Sequence, residues 1–114
     1  MKKLTLLFTI VFLAIIVALP AHPANVVNAN FDKESNLLAI NFLHKVKNNA
    51  DHYIKEVVVM KGKTELIRQE LTYQDSMEGG ALIYKINNLK PNDKLVITTT
   101  CNKTGKKSQT LEIK

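Results

Sequence analysis

Beyond residue 24 the chain is built from short runs in which apolar and polar residues alternate, each run closed by turn-forming residues. "NVVNANF" (25–31) leads through "DKESN" into "LLAINFL" (37–43), where Leu38, Ile40 and Phe42 fall on one side and Asn41 on the other. That period of two is the mark of a half-buried strand, and the pair reads as a hairpin. "YIKEVVVM" (53–60) and "TELIRQEL" (64–71) form a second hairpin across "KGK", where Gly62 supplies the positive φ of a tight turn. Gly79 and Gly80 are expected to end a polar loop before "ALIYKI" (81–86), with Leu82, Tyr84 and Ile86 on one face. "NNLKPND" is rich in turn formers and delivers the chain into "KLVITTTC" (94–101); "SQTLEIK" (108–114) closes it. No stretch after residue 24 sustains a helical period. Seven short strands with frequent turns predict an all-β, immunoglobulin-like β-sandwich.

The first 21 residues break this pattern. Lys2 and Lys3 precede an uncharged apolar run from Leu4 to Leu19, followed by Pro20 and Ala21. This is the layout of a secretory signal peptide cut after Ala21, which leaves residues 22–114 as one domain. The competing reading is an uncleaved N-terminal anchor, since the run is long for a signal core and short for a full span. Export to the exterior, or to the periplasm of a cell with two membranes, is the expectation, with no stable membrane association after cleavage. Cleavage removes two lysines and no acid, so the formal charge falls from +6 to +4. That charge aids solubility, and with Arg68 the only arginine there is no basic cluster of the kind that grips nucleic acid. Lys103, Lys106 and Lys107, in "KTGKK", are expected to form a solvated turn.

Cys101 is the single cysteine, and in an exported chain a lone thiol is free, paired with another molecule, or a metal ligand. It ends a strand in phase with Leu95, Ile97 and Thr99. His44 and His52 stand at the two mouths of the loop between the second and third strands, and His22 follows the expected cleavage site. Imidazoles and a thiolate suit iron, zinc or copper. Asp51, beside His52, is placed to orient that imidazole. Asn102-Lys103-Thr104 satisfies the glycosylation sequon and is expected to be unmodified.

"LHKVKNNADHYIKEVVVMKGK" followed by "LKPNDKLVITTTCNKTG" resembles the iron-binding domain of the superoxide reductase, or desulfoferrodoxin and neelaredoxin, family. There a histidine, usually followed by Pro-Met, precedes a "HYI" strand start, and a "CNxHG" loop lies near the C-terminus. His44, then His52-Tyr53-Ile54, then Cys101-Asn102 with Gly105, match those landmarks in order. The resemblance implies the same sandwich and one iron held by four equatorial histidines and an axial cysteine. It also implies superoxide as the small-molecule substrate, reduced to peroxide, and, with no fused cysteine cluster in the chain, a separate electron-donor protein. On this reading His44 and His52 are equatorial ligands, Cys101 is axial, and His22 corresponds to the family's first histidine.

Two departures stand out. Thr104 occupies the place of the fourth histidine, and the Glu-Lys expected before the first histidine is missing. Two alternatives therefore stay open beside the iron centre: copper chelated by the amine and imidazole of an N-terminal His22 with a further histidine, and a metal-free immunoglobulin-like binding or structural module.

Overall fold

The alternation of apolar and polar residues becomes seven strands. The computed structural model describes residues 22–114: β1 (Val26–Asp32), β2 (Leu37–Leu43), β3 (Ile54–Lys61), β4 (Thr64–Glu70), β5 (Gly79–Lys85), β6 (Lys94–Cys101) and β7 (Lys106–Glu112). The signal peptide expected over residues 1–21, and the export reading with it, lie outside the described residues. Two antiparallel sheets result, one ordered β1-β2-β5 and the other β4-β3-β6-β7. This is the predicted immunoglobulin-like sandwich.

The inward faces explain the assignment. Leu38, Ile40 and Phe42 of β2 face Ile54, Val57 and Val59 of β3 and Leu95 and Ile97 of β6 in one buried core. The central strand β3, between β4 and β6, buries three consecutive apolar residues, Val57 to Val59. Two sheets thus enclose a core with no crosslink, Cys101 being a buried free thiol at one end of it.

The hairpins use the turn residues as expected. Asp32 accepts from the Glu34 amide and the Ser35 hydroxyl, which hold its carboxyl below the usual carboxylate range, the Ser35 bond contributing most. Asn36 completes that turn at φ 61°, and Gly62 turns β3 into β4 at φ 59°.

Two expectations need correction. Gly79 and Gly80 do not end a loop: they open β5, paired with Leu43 and Phe42 of β2. A side chain at Gly79 would meet the Phe42 carbonyl oxygen, and one at Gly80 would meet the Phe42 ring at 2.7 Å. Glycine here is what lets β5 dock on β2, not what breaks the strand. Lys106 and Lys107 likewise lie in β7, paired with Thr100 and Thr99, and only Lys103 is in the turn. β7 is an edge strand whose first five residues are exposed on both faces, so no apolar alternation marks its start.

Strand direction alternates, so the starts of β1, β3, β5 and β7 and the ends of β2, β4 and β6 share one pole of the sandwich. His22, His44, His52 and Cys101 all fall at this pole.

Gly79, at φ 152° and against main chain, should not tolerate a Cβ. Gly79→Ala should lose at least about 2 kcal/mol of stability in denaturant unfolding, given a forbidden φ and a clash that cannot relax. Gly62→Asn, in open space at a φ that asparagine accepts, should leave the midpoint nearly unchanged.

Candidate metal centre

Three connections build the pole: residues 44–53 between β2 and β3, residues 71–78 between β4 and β5, and residues 102–105 between β6 and β7. Each is tied to another through its main chain. The His44 amide donates to the Glu78 carbonyl at 2.9 Å and the Val46 amide to the Met77 carbonyl at 2.8 Å, extending β2 alongside the approach to β5. The Gln74 amide donates to the Asn49 carbonyl at 3.0 Å, and Asn49 Nδ2 donates back to the Gln74 carbonyl at 2.7 Å. A hydrogen-bonded turn at Asn48, whose carbonyl accepts from the His52 amide at 2.9 Å, then aims His52 into the pole.

Asn102 closes the third side. Its Oδ1 accepts from the Tyr53 amide at 2.9 Å, its Nδ2 donates to the Asp51 carbonyl at 2.9 Å, and its own amide donates to the Tyr53 carbonyl at 3.0 Å. One side chain therefore clamps both neighbours of His52 to the loop that carries Cys101. With Nδ2 committed in this way the sequon nitrogen has a structural use. Gly105, at φ 87°, turns the loop so that its carbonyl accepts from the Cys101 amide at 3.0 Å.

The result is a tight cluster. The donor atoms of His44, His52 and Cys101 all lie within 4.8 Å of one another. His52 Nε2 is 3.1 Å from Cys101 Sγ, and the His44 and His52 rings meet edge to face with centroids 4.7 Å apart. His44 is 0% exposed and Cys101 3%. The Lys103 amide donates to Cys101 Sγ, 3.4 Å away. His52 titrates below its ordinary 6.5, first because burial disfavours the charged ring and then because His44, His22 and Lys103 repel a positive charge there. A neutral ring keeps a lone pair available for a metal.

The other predicted residues divide. The His22 ring flanks the cluster, with centroids 5.3 Å from His44 and 5.8 Å from His52, but its donor atoms are not in the compact group of three. His22 Nδ1 faces its neighbour's carbonyl, that of Pro23, at 3.0 Å. Thr104 is exposed on the 102–105 turn, so its hydroxyl does not take the place of a histidine. Asp51 pairs with Lys103 Nζ at 3.0 Å across the mouth of the pole, which turns its carboxylate away from the role of orienting His52.

Gln74 and Asn102 carry the architecture, and sequence reasoning gave neither a structural part. Gln74 is 1% exposed, with Oε1 2.7 Å from His44 Nδ1 and Nε2 donating to the carbonyls of His44 and Ser76 at 2.7 and 2.9 Å. In "LTYQDSMEGG" nothing sets it apart from an ordinary loop glutamine; Asn102 at least followed the cysteine directly.

No protein-family model matches the chain, and no curated protein matches it by sequence. Solved structures do. A one-iron superoxide reductase from Giardia intestinalis superimposes with a TM-score of 0.60 at 18% identity, over 80% of this chain and 99% of that one. A superoxide reductase in the oxidized state gives 0.51 at 14% identity, over 85% and 94%. A hypothetical protein from Pyrococcus horikoshii gives 0.52 at 16% identity, over 80% and 89%. These likenesses establish the fold: the chain is a superoxide reductase-like β-sandwich, with two histidines and a cysteine converging at one pole.

Proposed function

We propose that this pole is a mononuclear iron–thiolate centre in an exported protein, and that its activity is the one-electron reduction of superoxide to peroxide. The observation that carries the reading is the convergence of His44 and His52, from the two ends of the β2–β3 connection, with Cys101, at the end of β6, within 4.8 Å of one another. The fold shared with proteins named superoxide reductases supports it. Iron bound here would supply one electron to superoxide, which with two protons becomes hydrogen peroxide, and a separate electron donor would restore the ferrous state.

The chain's own residues account for the rest. Cys101, held against the core with the Lys103 amide donating to its sulfur, would supply that sulfur to the iron in a water-poor setting. His52, whose surroundings disfavour the charged ring, would contribute a nitrogen that lies 3.1 Å from that sulfur. His44, fully buried, contributes a second nitrogen whose direction is fixed from behind by Gln74. Lys103 at the mouth places a positive charge on the rim, partly offset by Asp51.

Metal analysis of protein purified without a histidine tag should find iron near stoichiometry, or uptake of ferrous iron under anaerobic reconstitution. The loaded protein should consume superoxide. Cys101→Ser should remove the sulfur-to-iron charge-transfer band and leave the far-ultraviolet dichroism intact; a band that survives removes Cys101 from the ligand set. His52→Ala should lower iron content more than it lowers the unfolding midpoint, and equal iron content in the two proteins would make His52 a structural residue only.

The metal-free protein should also show the signature of His52 in its stability. A depressed folded-state pKa means that the unfolded chain binds the proton first, so the stability present above 6.5 is lost as pH falls from there through the folded-state value. His52→Gln has no such proton to bind. Its thermal midpoint should therefore fall less than that of the wild type on acidification through this window, and parallel profiles would contradict the assigned shift.

A further inference from the structure

We infer that the outer face of the β1-β2-β5 sheet is an interface with a second copy of this chain, joined about a two-fold axis that runs along β2. The contact needs no metal at the pole.

Alternation decides which residues stand on this face. Leu38, Ile40 and Phe42 of β2 are buried, so Leu37, Ala39, Asn41 and Leu43 point the other way. The register places Ile83 of β5 beside Ala39 and Lys85 beside Leu37, with Asp32 of β1 on the other side of Leu37. Leu37 is 38% exposed, Leu43 54% and Ile83 67%. Among the described residues, the other large exposed apolar side chains, Tyr73 and Met77, lie in the β4–β5 connection, and none lies on the outer face of the four-stranded sheet. That second face is crossed instead by the ion pairs of Arg68 with Glu56 and Glu65. The two outer faces therefore differ in kind, and exposed apolar groups gathered on one of them mark a contact surface.

The charges identify the occupant. Asp32, Leu37 and Lys85 form one rung across the sheet, with an acid on one border strand and a base on the other. Lys85 has no acidic partner among the described residues. A two-fold axis lying in the face along β2 sets β1 of one protomer over β5 of the other and keeps the strands of the two sheets aligned. Asp32 then meets the partner's Lys85 and Lys85 meets the partner's Asp32, so a copy of the same surface answers both charges. Leu37 meets its own counterpart on the axis, and the small side chain of Ala39 lets the sheets approach beside it.

Edge pairing is the other way to join two copies, and the chain obstructs it. β5 borders its sheet, but its Ala81 amide already donates to Asp75 Oδ2 at 2.9 Å, on the side that an added strand would need. Three seven-residue strands, at about 3.4 Å per residue and about 4.8 Å apart, make a face of about 24 by 14 Å, well below the about 800 Å² per partner of a standard interface. The dimer is accordingly weak.

Sedimentation of the purified protein between about 10 μM and 1 mM should show a mass that rises from one chain toward two. Ile83→Asp should raise the dissociation constant at least about 10-fold. Lys85→Glu alone and Asp32→Lys alone each set like charges against one another twice and should stay monomeric. Their equimolar mixture should dimerise again, within about threefold of the wild type. Because Asp32 also holds its own turn, amide shifts of the wild type supply a second readout. On dilution they should move at the outward positions of β1, β2 and β5 and stay fixed on the four-stranded sheet.

A wild type that stays monomeric up to about 1 mM overturns the interface. So does a dimer that Ile83→Asp leaves intact, or a folded pair of charge variants whose mixture does not recover. Dilution shifts confined to the four-stranded sheet overturn it whether or not Asp32→Lys folds. Monomeric protein that binds phosphatidylcholine vesicles, with Ile83→Asp abolishing the binding, gives the face to a lipid surface and overturns the second copy as its occupant.

Discussion

A histidine with no solvent exposure at the end of a sheet is an expensive thing to bury unless every polar atom around it is answered. Gln74 supplies the answer, and the pole is arranged around it. Its amide joins the end of β2, the start of β3 and the β4–β5 connection in one set of hydrogen bonds. Removing one partner would leave buried donors and acceptors at a cost of about 1–3 kcal/mol each, so this network is as much a structural joint as a feature of the site. The second joint is Asn102, which does for His52 and the Cys101 loop what Gln74 does for His44.

These polar joints matter because the sandwich has no crosslink to hold its loops. The apolar core runs up to Ile54 and Cys101 and stops there. Beyond that level, order depends on carbonyls and amides that find one another, and the main-chain bonds of residues 44–49 with residues 74–78 continue the β2–β5 pairing past the last apolar pair. The pole therefore has a dry side, where the Cys101 sulfur is buried, and a wet side, where Asp51 and Lys103 pair in solvent.

The strands were legible because burial imposes a period of two, as at Leu38, Ile40 and Phe42. They were less so where that pressure is absent: the start of β7 is exposed on both faces, and β5 opens with two glycines that look like a loop and act as a docking surface for β2. In the site, His44, His52 and Cys101 could be found because their residue types are uncommon in this chain and each stands at a strand end. Their convergence follows from the alternation of strand direction. Gln74 could not be found, since its importance comes from the fold placing it behind His44, thirty positions away. The guess that Asp51 would orient His52 failed for a similar reason. A side chain next in sequence is not next in space when Lys103, reaching across from another loop, offers a stronger partner for its charge.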